Sequence, residues 1–245
     1  MKRILTILNV DDAPPGLIGE RIRSHSGECI EINPHKGGTL PKSPGGYDGL
    51  IILGGPMSVA DPAFANVFEP MAALVRAFHA DRTPVMGLCL GSQLIAKAFG
   101  QTVQPHRQLQ FGFKKLEITD EGKSDPLLEG LDTPQTAFVH HLDTYDLPDG
   151  AVLLMSERDT LCHTFRVGQS TYALQSHPEA TANIIRGWMK RTEAGVRQKL
   201  GRRGEELIES LEDDFISELP KASRFAESIA DRWFSLVERR AAEVI

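Results

Sequence analysis

Short apolar runs alternate with segments of helical spacing over the first hundred residues. The runs of strand length cover residues 4–10, 29–32, 49–53 and 84–88. Apolar residues at three- and four-residue steps predict helices over 18–24 and 67–80, and a third that begins beyond Leu90 and stops at Gly100. Strands that alternate with helices are typical of a parallel sheet with helical crossovers. The pattern predicts an α/β fold with an open, mostly parallel twisted sheet flanked by helices.

The pattern changes after residue 100. Between residues 101 and 176, short β-like pieces are separated by turns, which predicts an antiparallel or mixed extension of the sheet. Residues 183–245 have helical spacing, and Leu219-Pro220 divides them into two apolar sets. Neither an internal repeat nor a clear linker marks a boundary. From the change of pattern alone we predict a domain over residues 1–190 and a helical C-terminal extension, packed on it, over residues 191–245.

The C-terminal helices carry mixed charges, which suit solvated outer faces. A second interpretation is that these helices cover a sheet edge or form the contact of a homodimer. Trp188 and Trp233 are the candidate anchors in either arrangement.

Composition and charge exclude several classes of protein. A chain of 245 residues, 41% of them hydrophobic, can bury a full core. The net charge of −6 and the lack of a Lys/Arg stripe argue against nucleic-acid binding. The three cysteines are odd in number and widely spaced, which argues against a disulfide framework and fits a reducing cytoplasm. We expect neither a signal peptide nor a membrane span, because the apolar start leads into Asp11-Asp12 and no segment reaches the ~20 apolar residues of a span.

Cys89 lies where an apolar run ends and a helical segment begins, within Gly87-Leu88-Cys89-Leu90-Gly91. A nucleophile on a sharp strand-to-helix turn has a strained backbone, and glycine on both sides removes Cβ atoms that would crowd each other. The helix would also place N–H groups and the positive end of its dipole beside the sulfur, which favours the thiolate. A buried cysteine in a glycine-containing turn is the alternative.

His177-Pro178-Glu179 supplies a candidate base for such a nucleophile, together with a group that would orient the base. The motif follows a predicted strand over residues 171–176. In an extended chain the two-residue separation turns His177 and Glu179 to one side, and Pro178 disfavours a helix at His177. A surface or hydrogen-bonded core histidine is the alternative. Cys29 and Cys162 lack a glycine-flanked turn before a helix and are interpreted as buried small side chains.

Several motifs, in this order, resemble the class I glutamine amidotransferases, in which a cysteine in a G-x-C-x-G elbow works with a downstream H-P-E. The resemblance is clear over about residues 49–180, and it is strongest to stand-alone proteins similar to the glutaminase domain of GMP synthase. It implies a flavodoxin-like fold. The matching pieces are Gly54-Gly55-Pro56, Gly87 to Gln93, Phe111-Gly112-Phe113, Asp143 to Pro148 and Leu174 to Glu179.

The resemblance implies a catalytic triad. Cys89 would attack the side-chain carbonyl of glutamine, and His177 would deprotonate the thiol and then protonate the departing ammonia. Glu179 would orient His177. Water would then cleave the γ-glutamyl thioester to release glutamate, and no cofactor is implied.

The resemblance also implies an oxyanion hole and substrate contacts. Backbone N–H groups of Leu90 and Gly55 would hold the oxyanion, which is typically worth a few kcal/mol per donor. Gly54 would allow close approach of the substrate, and Gln93 would contact it. His141 is interpreted as a residue that lines the substrate pocket.

Several positions depart from the pattern of the family, among them Gln110, and two of the departures concern the substrate pocket. Leu142 stands where relatives have glycine, and His163 stands where they often have glutamine. Both lie in regions that shape the substrate pocket. The resemblance therefore specifies the triad more closely than it specifies how the α-amino and α-carboxylate groups of glutamine are recognised. A modified γ-glutamyl substrate becomes an alternative.

His140, His141 and Asp143 have the residue types of metal ligands. Adjacent histidines in a strand point to opposite faces, and no third and fourth ligands follow at a recognisable spacing. We therefore expect no metal site, and we interpret these residues as pocket-lining or structural.

An amidotransferase must deliver ammonia to an acceptor, yet the sequence has neither a G-x-x-x-x-G-K-[ST] loop nor a Ser-Gly-Gly-x-Asp loop for ATP. Three functions stay open. The protein is a glutaminase subunit that needs a synthetase partner, a self-sufficient hydrolase of glutamine or a γ-glutamyl peptide, or a non-catalytic binding protein. The intact triad favours the first two.

Overall fold

Nine strands and seven α-helices make up the computed structural model, which describes residues 1–243. The strands are β1 (Lys2–Ile7), β2 (Gly27–Ile32), β3 (Gly49–Ile52), β4 (Val85–Leu88), β5 (Val103–Ile118), β6 (Gln135–Tyr145), β7 (Val152–Ser156), β8 (Thr164–Val167) and β9 (Thr171–Leu174). The helices are α1 (Gly16–Ser24), α2 (Ala65–Ala80), α3 (Leu90–Ala98), α4 (Ala182–Leu200), α5 (Arg202–Glu209), α6 (Leu211–Ser217) and α7 (Leu219–Glu243).

All nine strands lie in one sheet, in the order β2-β1-β3-β4-β9-β8-β7-β5-β6. In this order, the first five strands, β2-β1-β3-β4-β9, pair in parallel. The pairings from β9 through β8, β7 and β5 to β6 are antiparallel. The predicted fold class is confirmed, as a mixed sheet flanked by helices. The antiparallel extension predicted after residue 100 is also confirmed, and it supplies as many strand pairings as the parallel half.

The parallel strands β3, β4 and β9 are buried on both faces because helices cover both sides of the sheet, whereas the edge strand β2 is partly exposed. Ile4 and Ile51 belong to the core beneath α1 and α7, whereas Leu5 and Ile52 belong to the core beneath α2 and α3. Trp233 of α7 is fully buried in the first of these cores. It therefore anchors the C-terminal helices to their own sheet and is not available for a dimer contact.

Some element boundaries differ from the sequence prediction. The first strand ends at Ile7 instead of continuing to Val10, and the Asn9 side chain donates a hydrogen bond of 2.7 Å to the Leu53 carbonyl. β5 and β6 are longer than the predicted pieces, because β5 continues through an irregularity between Pro105 and Gln110 where its register with β6 shifts. A bulge is one of the few places in a sheet that tolerates proline. The four-residue strand β8 was not predicted.

The C-terminal segment is helical from Ala182 onward, as predicted, although residues 244–245 of that prediction lie outside the described residues. Pro220 stands at the second position of α7, where a missing N–H costs nothing. α4 runs without a break across the predicted boundary at 190/191, so the division into a domain and an extension stays a prediction.

The carboxyl ends of β1, β3, β4 and β9 lie side by side at one edge of the sheet. Ligands of open parallel sheets bind at this edge. The loops that follow these four strands hold the glycines, the cysteine and the His-Pro-Glu motif of the predicted site.

Candidate active site

Cys89 forms a strained turn between β4 and α3. Its backbone has φ 51° and ψ −106°, a conformation that residues with a side chain rarely adopt. The Cys89 N–H donates to the Leu174 carbonyl at 2.8 Å, which ties the turn to the end of β9. The Ser92 hydroxyl donates to the Cys89 carbonyl at 2.6 Å, and Tyr145 donates to Ser92 at 3.0 Å. These contacts hold the cysteine in the predicted elbow.

The two glycines of the elbow leave no room for a side chain. A Cβ at Gly87 would lie 2.5 Å from the Gly91 carbonyl oxygen, as the predicted crowding requires. A Cβ at Gly91 would overlap the carbonyl oxygen of Ile52 in the neighbouring strand β3. Gly91 is therefore needed for the close approach of α3 to β3 as well as for the turn.

His177 and Glu179 form a buried pair. His177 Nδ1 donates to Glu179 Oε1 at 2.8 Å, and Glu179 is fully buried. The pair is fixed by its backbone, since His177 N–H donates to the Phe138 carbonyl and Leu17 N–H donates to the Glu179 carbonyl. Because Nδ1 is engaged with the carboxylate, Nε2 is left to face a reacting group.

Cys89 and His177 lie against the same glycine. A Cβ at Gly54 would be 3.0 Å from His177 Cε1 and 3.5 Å from Cys89 Cβ. The Cys89 thiol lies 3.8 Å from the His140 carbonyl, and His177 Nε2 has no partner among the described residues. Burial disfavours the imidazolium, but the negative charges of Cys89 and Glu179 outweigh that cost and hold the pKa of His177 well above its ordinary value. The arrangement thus favours the imidazolium form of His177.

Gly55 and Leu90, the residues of the predicted oxyanion hole, lie next to each other. A Cβ at Gly55 would be 3.4 Å from Leu90 Cδ1 and 2.9 Å from the side chain of Asn9. Leu90 is the first residue of α3, where a backbone N–H has no carbonyl partner within the helix. The Gly55 N–H donates no hydrogen bond in the described part of the chain. Both groups are therefore free to donate to a ligand.

A cavity of about 500 Å³ is lined by Gly55, Cys89 and His177. Gln93 lines it and donates to the Asp143 carbonyl at 3.5 Å. His141 also lines it, with Nδ1 donating to the same carbonyl at 3.0 Å. Burial lowers the pKa of His141 to about 3, so its ring is neutral and offers an unpartnered Nε2 as an acceptor. The structure thus places Gly54, Gln93 and His141, the predicted substrate-binding residues, on one cavity.

Comparison with known proteins identifies the family of the chain. The family model of class-I glutamine amidotransferases matches residues 28–187. The chain belongs to this family.

Individual relatives support the assignment to the amidotransferase family. The glutamine-hydrolyzing GMP synthase of Porphyromonas gingivalis is 30% identical over 71% of this chain and 33% of its own length. The chain therefore spans about a third of that relative. The glutamine amidotransferase-like protein YfeJ of Salmonella typhimurium is 28% identical over 69% of this chain and 72% of its own length. A glutamine amidotransferase from Thermotoga maritima shares the fold, with a TM-score of 0.81 at 22% identity over 97% of this chain and 98% of that one.

One side of the cavity lies beyond the residues that match the amidotransferase model and was not predicted from the sequence. Helix α4 contributes Trp188, Arg191, Thr192, Gly195, Val196 and Lys199. The Trp188 ring packs on the His177 ring with 4.7 Å between centroids, and its Nε1 donates to the Asp12 carbonyl at 2.7 Å. Trp188 was singled out in the sequence as an anchor, but its spacing gave no sign that it contacts the His-Pro-Glu motif.

The hydrogen bond between two further polar residues of the cavity, Ser58 and Asp143, was also not predicted from the sequence. Ser58 follows the Gly54-Gly55 loop, and its hydroxyl donates to the Asp143 carboxylate at 2.5 Å. Both residues line the cavity. The pair joins the loop after β3 to β6, and its signal in the sequence was only the position of Asp143 within a motif of the amidotransferase family.

Leu142 and His163, two departures from the amidotransferase pattern, differ in whether they line the cavity. Leu142 lines the cavity, whereas His163 is buried elsewhere in the sheet with Nδ1 3.2 Å from the Thr164 hydroxyl. Burial lowers the pKa of His163 to about 3, which keeps it neutral. Of the two, only Leu142 is placed to affect a bound substrate directly.

The remaining thiols and acids form no second site. Cys29 and Cys162 are half-buried, and burial together with the charge of Asp146 raises the pKa of Cys162 to about 12. Among the described residues, no group of three or more His, Cys, Asp or Glu side chains is arranged to hold a metal ion. None of the helices in residues 1–243 is both long enough and apolar enough to span a membrane.

Proposed function

We propose that this protein hydrolyses the side-chain amide of glutamine to glutamate and ammonia through a thioester on Cys89. The proposal rests above all on one observation, the buried His177–Glu179 pair set against a cysteine in a strained elbow. Membership of the class-I glutamine amidotransferase family supports the same reaction.

The reaction proceeds in two halves. The Cys89 thiolate attacks the amide carbon, and the oxyanion that forms accepts hydrogen bonds from the N–H groups of Leu90 and Gly55. The carbon–nitrogen bond breaks as His177 gives its Nε2 proton to the nitrogen, and ammonia leaves. A water molecule then attacks the thioester, His177 takes its proton, and glutamate is released with the thiolate restored.

Glu179 has a positioning role in this scheme. Its carboxylate holds Nδ1 of His177, which keeps Nε2 directed toward the cysteine. The raised pKa of His177 fits this role, because the imidazolium must persist at neutral pH to protonate the leaving nitrogen.

The fate of the ammonia divides the proposal into two forms. The GMP synthase relatives are about three times as long as the matched region, and their name describes glutamine hydrolysis coupled to synthesis. A separate synthetase partner is therefore one form, and a self-sufficient hydrolase is the other. The three unpaired cysteines fit a reducing cytoplasm in either form.

Covalent labelling tests the proposed nucleophile. The protein is treated with 6-diazo-5-oxo-L-norleucine, an electrophile that mimics glutamine, and the modified peptide is located by mass spectrometry. We expect one adduct on Cys89, none in Cys89→Ser, and unchanged labelling in Cys162→Ser, whose thiol has the raised pKa of an inert group. Labelling that is absent, or that persists in Cys89→Ser, contradicts the proposal.

Release of ammonia and glutamate from glutamine tests the reaction itself. We expect wild-type turnover and its loss in Cys89→Ser, with Cys162→Ser as the matched control. Turnover that rises only when a co-purifying protein is added identifies a subunit that needs a partner. Labelling of Cys89 without hydrolysis of any γ-glutamyl compound contradicts a hydrolase.

A further inference from the structure

The cavity extends past the reacting groups along one face of α4. Trp188, Thr192, Gly195 and Lys199 recur at three- and four-residue steps and all line it. The cavity volume of about 500 Å³ lies in the range of sites that hold ligands larger than a free amino acid. Glutamine alone would leave this outer part of the cavity empty.

The proposed chemistry indicates which part of a substrate would occupy this outer part of the cavity. His177 must lie beside the nitrogen that leaves, because it gives that nitrogen its proton. The His177 ring packs directly on Trp188. A substituent on the leaving nitrogen therefore starts near Trp188 and extends along the α4 face toward Gly195 and Lys199.

Gly195 leaves space on this face. A Cβ built at Gly195 meets no atom within 4 Å, although the residue lies in the middle of a helix and lines the cavity. Glycine in a helix interior costs up to about 1 kcal/mol relative to alanine. The open space at Gly195 faces the cavity, whereas the equally open position at Gly187 in the same helix does not line it.

Lys199 supplies an uncompensated positive charge at the end of the same face. Arg191 is ion-paired with Asp12, but Lys199 has no ion-pair partner in the described part of the chain. His140 adds no charge of its own, since burial first, and then the charges of His177 and Lys199, lower its pKa to about 4. The mouth thus carries a free ammonium group in a chain of net charge −6.

We propose that this protein acts on γ-glutamyl compounds whose leaving amine carries a carboxylate, such as γ-glutamyl amino acids, and that Lys199 binds that carboxylate. The inference rests on the proposed Cys89 mechanism and extends its substrate from glutamine to substituted amides. The Cys89 sulfur bonds to the side-chain carbonyl carbon of the glutamyl group as the bond from that carbon to nitrogen breaks, the amino acid leaves with the proton from His177, and water converts the thioester to glutamate. Gly195 provides the space through which the amino acid lies along α4.

A pair of substrates that differ in one group tests the inference. The ratio of kcat/KM for γ-glutamylglycine to that for γ-glutamylglycinamide isolates the carboxylate, because the amide has the same size without the charge. We expect a ratio of about ten or more in the wild type, as hydrogen bonds to charged groups confer. Lys199→Gln should reduce the ratio to about one. Lys190→Gln, an exposed lysine on the opposite face of α4, should leave the ratio at the wild-type value.

A second pair of variants tests the space along the helix. Gly195→Leu should lower kcat/KM for γ-glutamylglycine about tenfold relative to glutamine, because the new side chain fills the outer cavity. Gly187→Leu is the matched control, since Gly187 lies in α4 with no atom within 4 Å of a built Cβ but does not line the cavity. Both changes favour the helix, so neither should prevent folding.

Two results would overturn the inference and leave the proposed function standing. One is hydrolysis of both dipeptide compounds with a ratio near one in the wild type. The other is a Lys199→Gln variant that lowers kcat/KM equally for glutamine, γ-glutamylglycine and γ-glutamylglycinamide, which would place the lysine on the glutamyl α-carboxylate or the Cys89 thiolate. Absence of hydrolysis for all three compounds, together with no labelling of Cys89, would overturn both proposals.

Discussion

The two sides of the cavity are built in opposite ways. On the elbow side, the loops after β3 and β4 have no spare volume, and an added Cβ at Gly54, Gly87 or Gly91 would press on neighbouring atoms. On the helix side, α4 presents an open position at Gly195 and an exposed Lys199. The elbow side lies within the match to the amidotransferase family, and the α4 face beyond Trp188 lies outside it.

Under the proposed mechanism, this difference separates the residues of the reaction from those that select the substrate. Backbone N–H groups, a strained turn and a buried ion pair must hold their positions to within fractions of an ångström to stabilise a transition state. A helix face that meets the leaving group can vary without disturbing them. Substitutions on the elbow side should therefore affect every substrate and the stability, whereas those on the helix side should change the ranking of substrates.

The largest effect is expected from Glu179→Gln. The buried amide no longer stabilises the imidazolium, so kcat/KM should fall by about 10²–10⁴-fold for every substrate. Loss of the Glu179 charge also lowers the pKa of His177, since that charge helps to raise it. The alkaline limb of the kcat/KM profile, which reports loss of the imidazolium proton, should therefore move to lower pH.

Steady-state assays from pH 5 to 10 on glutamine and γ-glutamylglycine check this prediction. Glu193→Gln, a carboxylate on α4 that pairs with the exposed Arg197, is the control and should leave the profile unchanged. Unequal losses for the two substrates, or an alkaline limb that moves upward, would contradict a purely positioning role for Glu179.

A glycine-to-alanine change in each of two helices tests the contrast in packing. At Gly91 the new Cβ overlaps the Ile52 carbonyl, so the free energy of unfolding should fall by about 1–3 kcal/mol. At Gly195 nothing lies within 4 Å, so the same change should raise it by up to about 1 kcal/mol. Urea denaturation of both variants measures the difference. Equal effects would mean that the two sides do not differ in packing.

The elbow side could be predicted from the sequence because its signals are local. The glycines two positions from Cys89 and the His-Pro-Glu motif after a predicted strand each define a conformation within a few residues. The parallel half of the sheet was predicted for the same reason, since its strands are short apolar runs. β8 was missed because its four residues include the half-buried Arg166, which interrupts the apolar run that marks the equally short β3, β4 and β9.

The helix side could not be predicted because it depends on contacts between distant segments. The apolar spacing of α4 predicts a helix, but which of its faces meets His177 is set by packing against the Asp12 loop and β6. Trp188 was predicted to be an anchor, but its contact with His177 was not predicted. The alternation rule placed His140 and His141 on opposite faces of a strand, yet both line the cavity near its mouth.

Trp188→Phe tests the contact that joins the two sides. The phenyl ring keeps a surface for His177 but loses the hydrogen bond to the Asp12 carbonyl, so the imidazole is held less firmly. We expect kcat/KM to fall about threefold to tenfold for all substrates, with a shift of the alkaline limb that a purely structural residue would not cause. Trp233 is buried in the core beneath α1 and α7, and Trp233→Phe is the matched control. This change should lower the free energy of unfolding without moving the alkaline limb.

The smallest effect is expected from Arg191→Gln, which separates a paired cation from a free one. Arg191 lines the cavity like Lys199, but Asp12 already neutralises it, and both side chains of that pair are substantially exposed. Exposed ion pairs contribute about 0–1 kcal/mol to stability, so the free energy of unfolding should change by less than about 1 kcal/mol. The γ-glutamylglycine to γ-glutamylglycinamide ratio should change less than about twofold, since that charge is not available to a substrate. Asp12→Asn releases Arg191 from its partner and should raise this ratio. A ratio that falls to about one in Arg191→Gln but not in Lys199→Gln would contradict the proposed role of Lys199. It would mean that the substrate carboxylate binds at the middle of α4 rather than at its end.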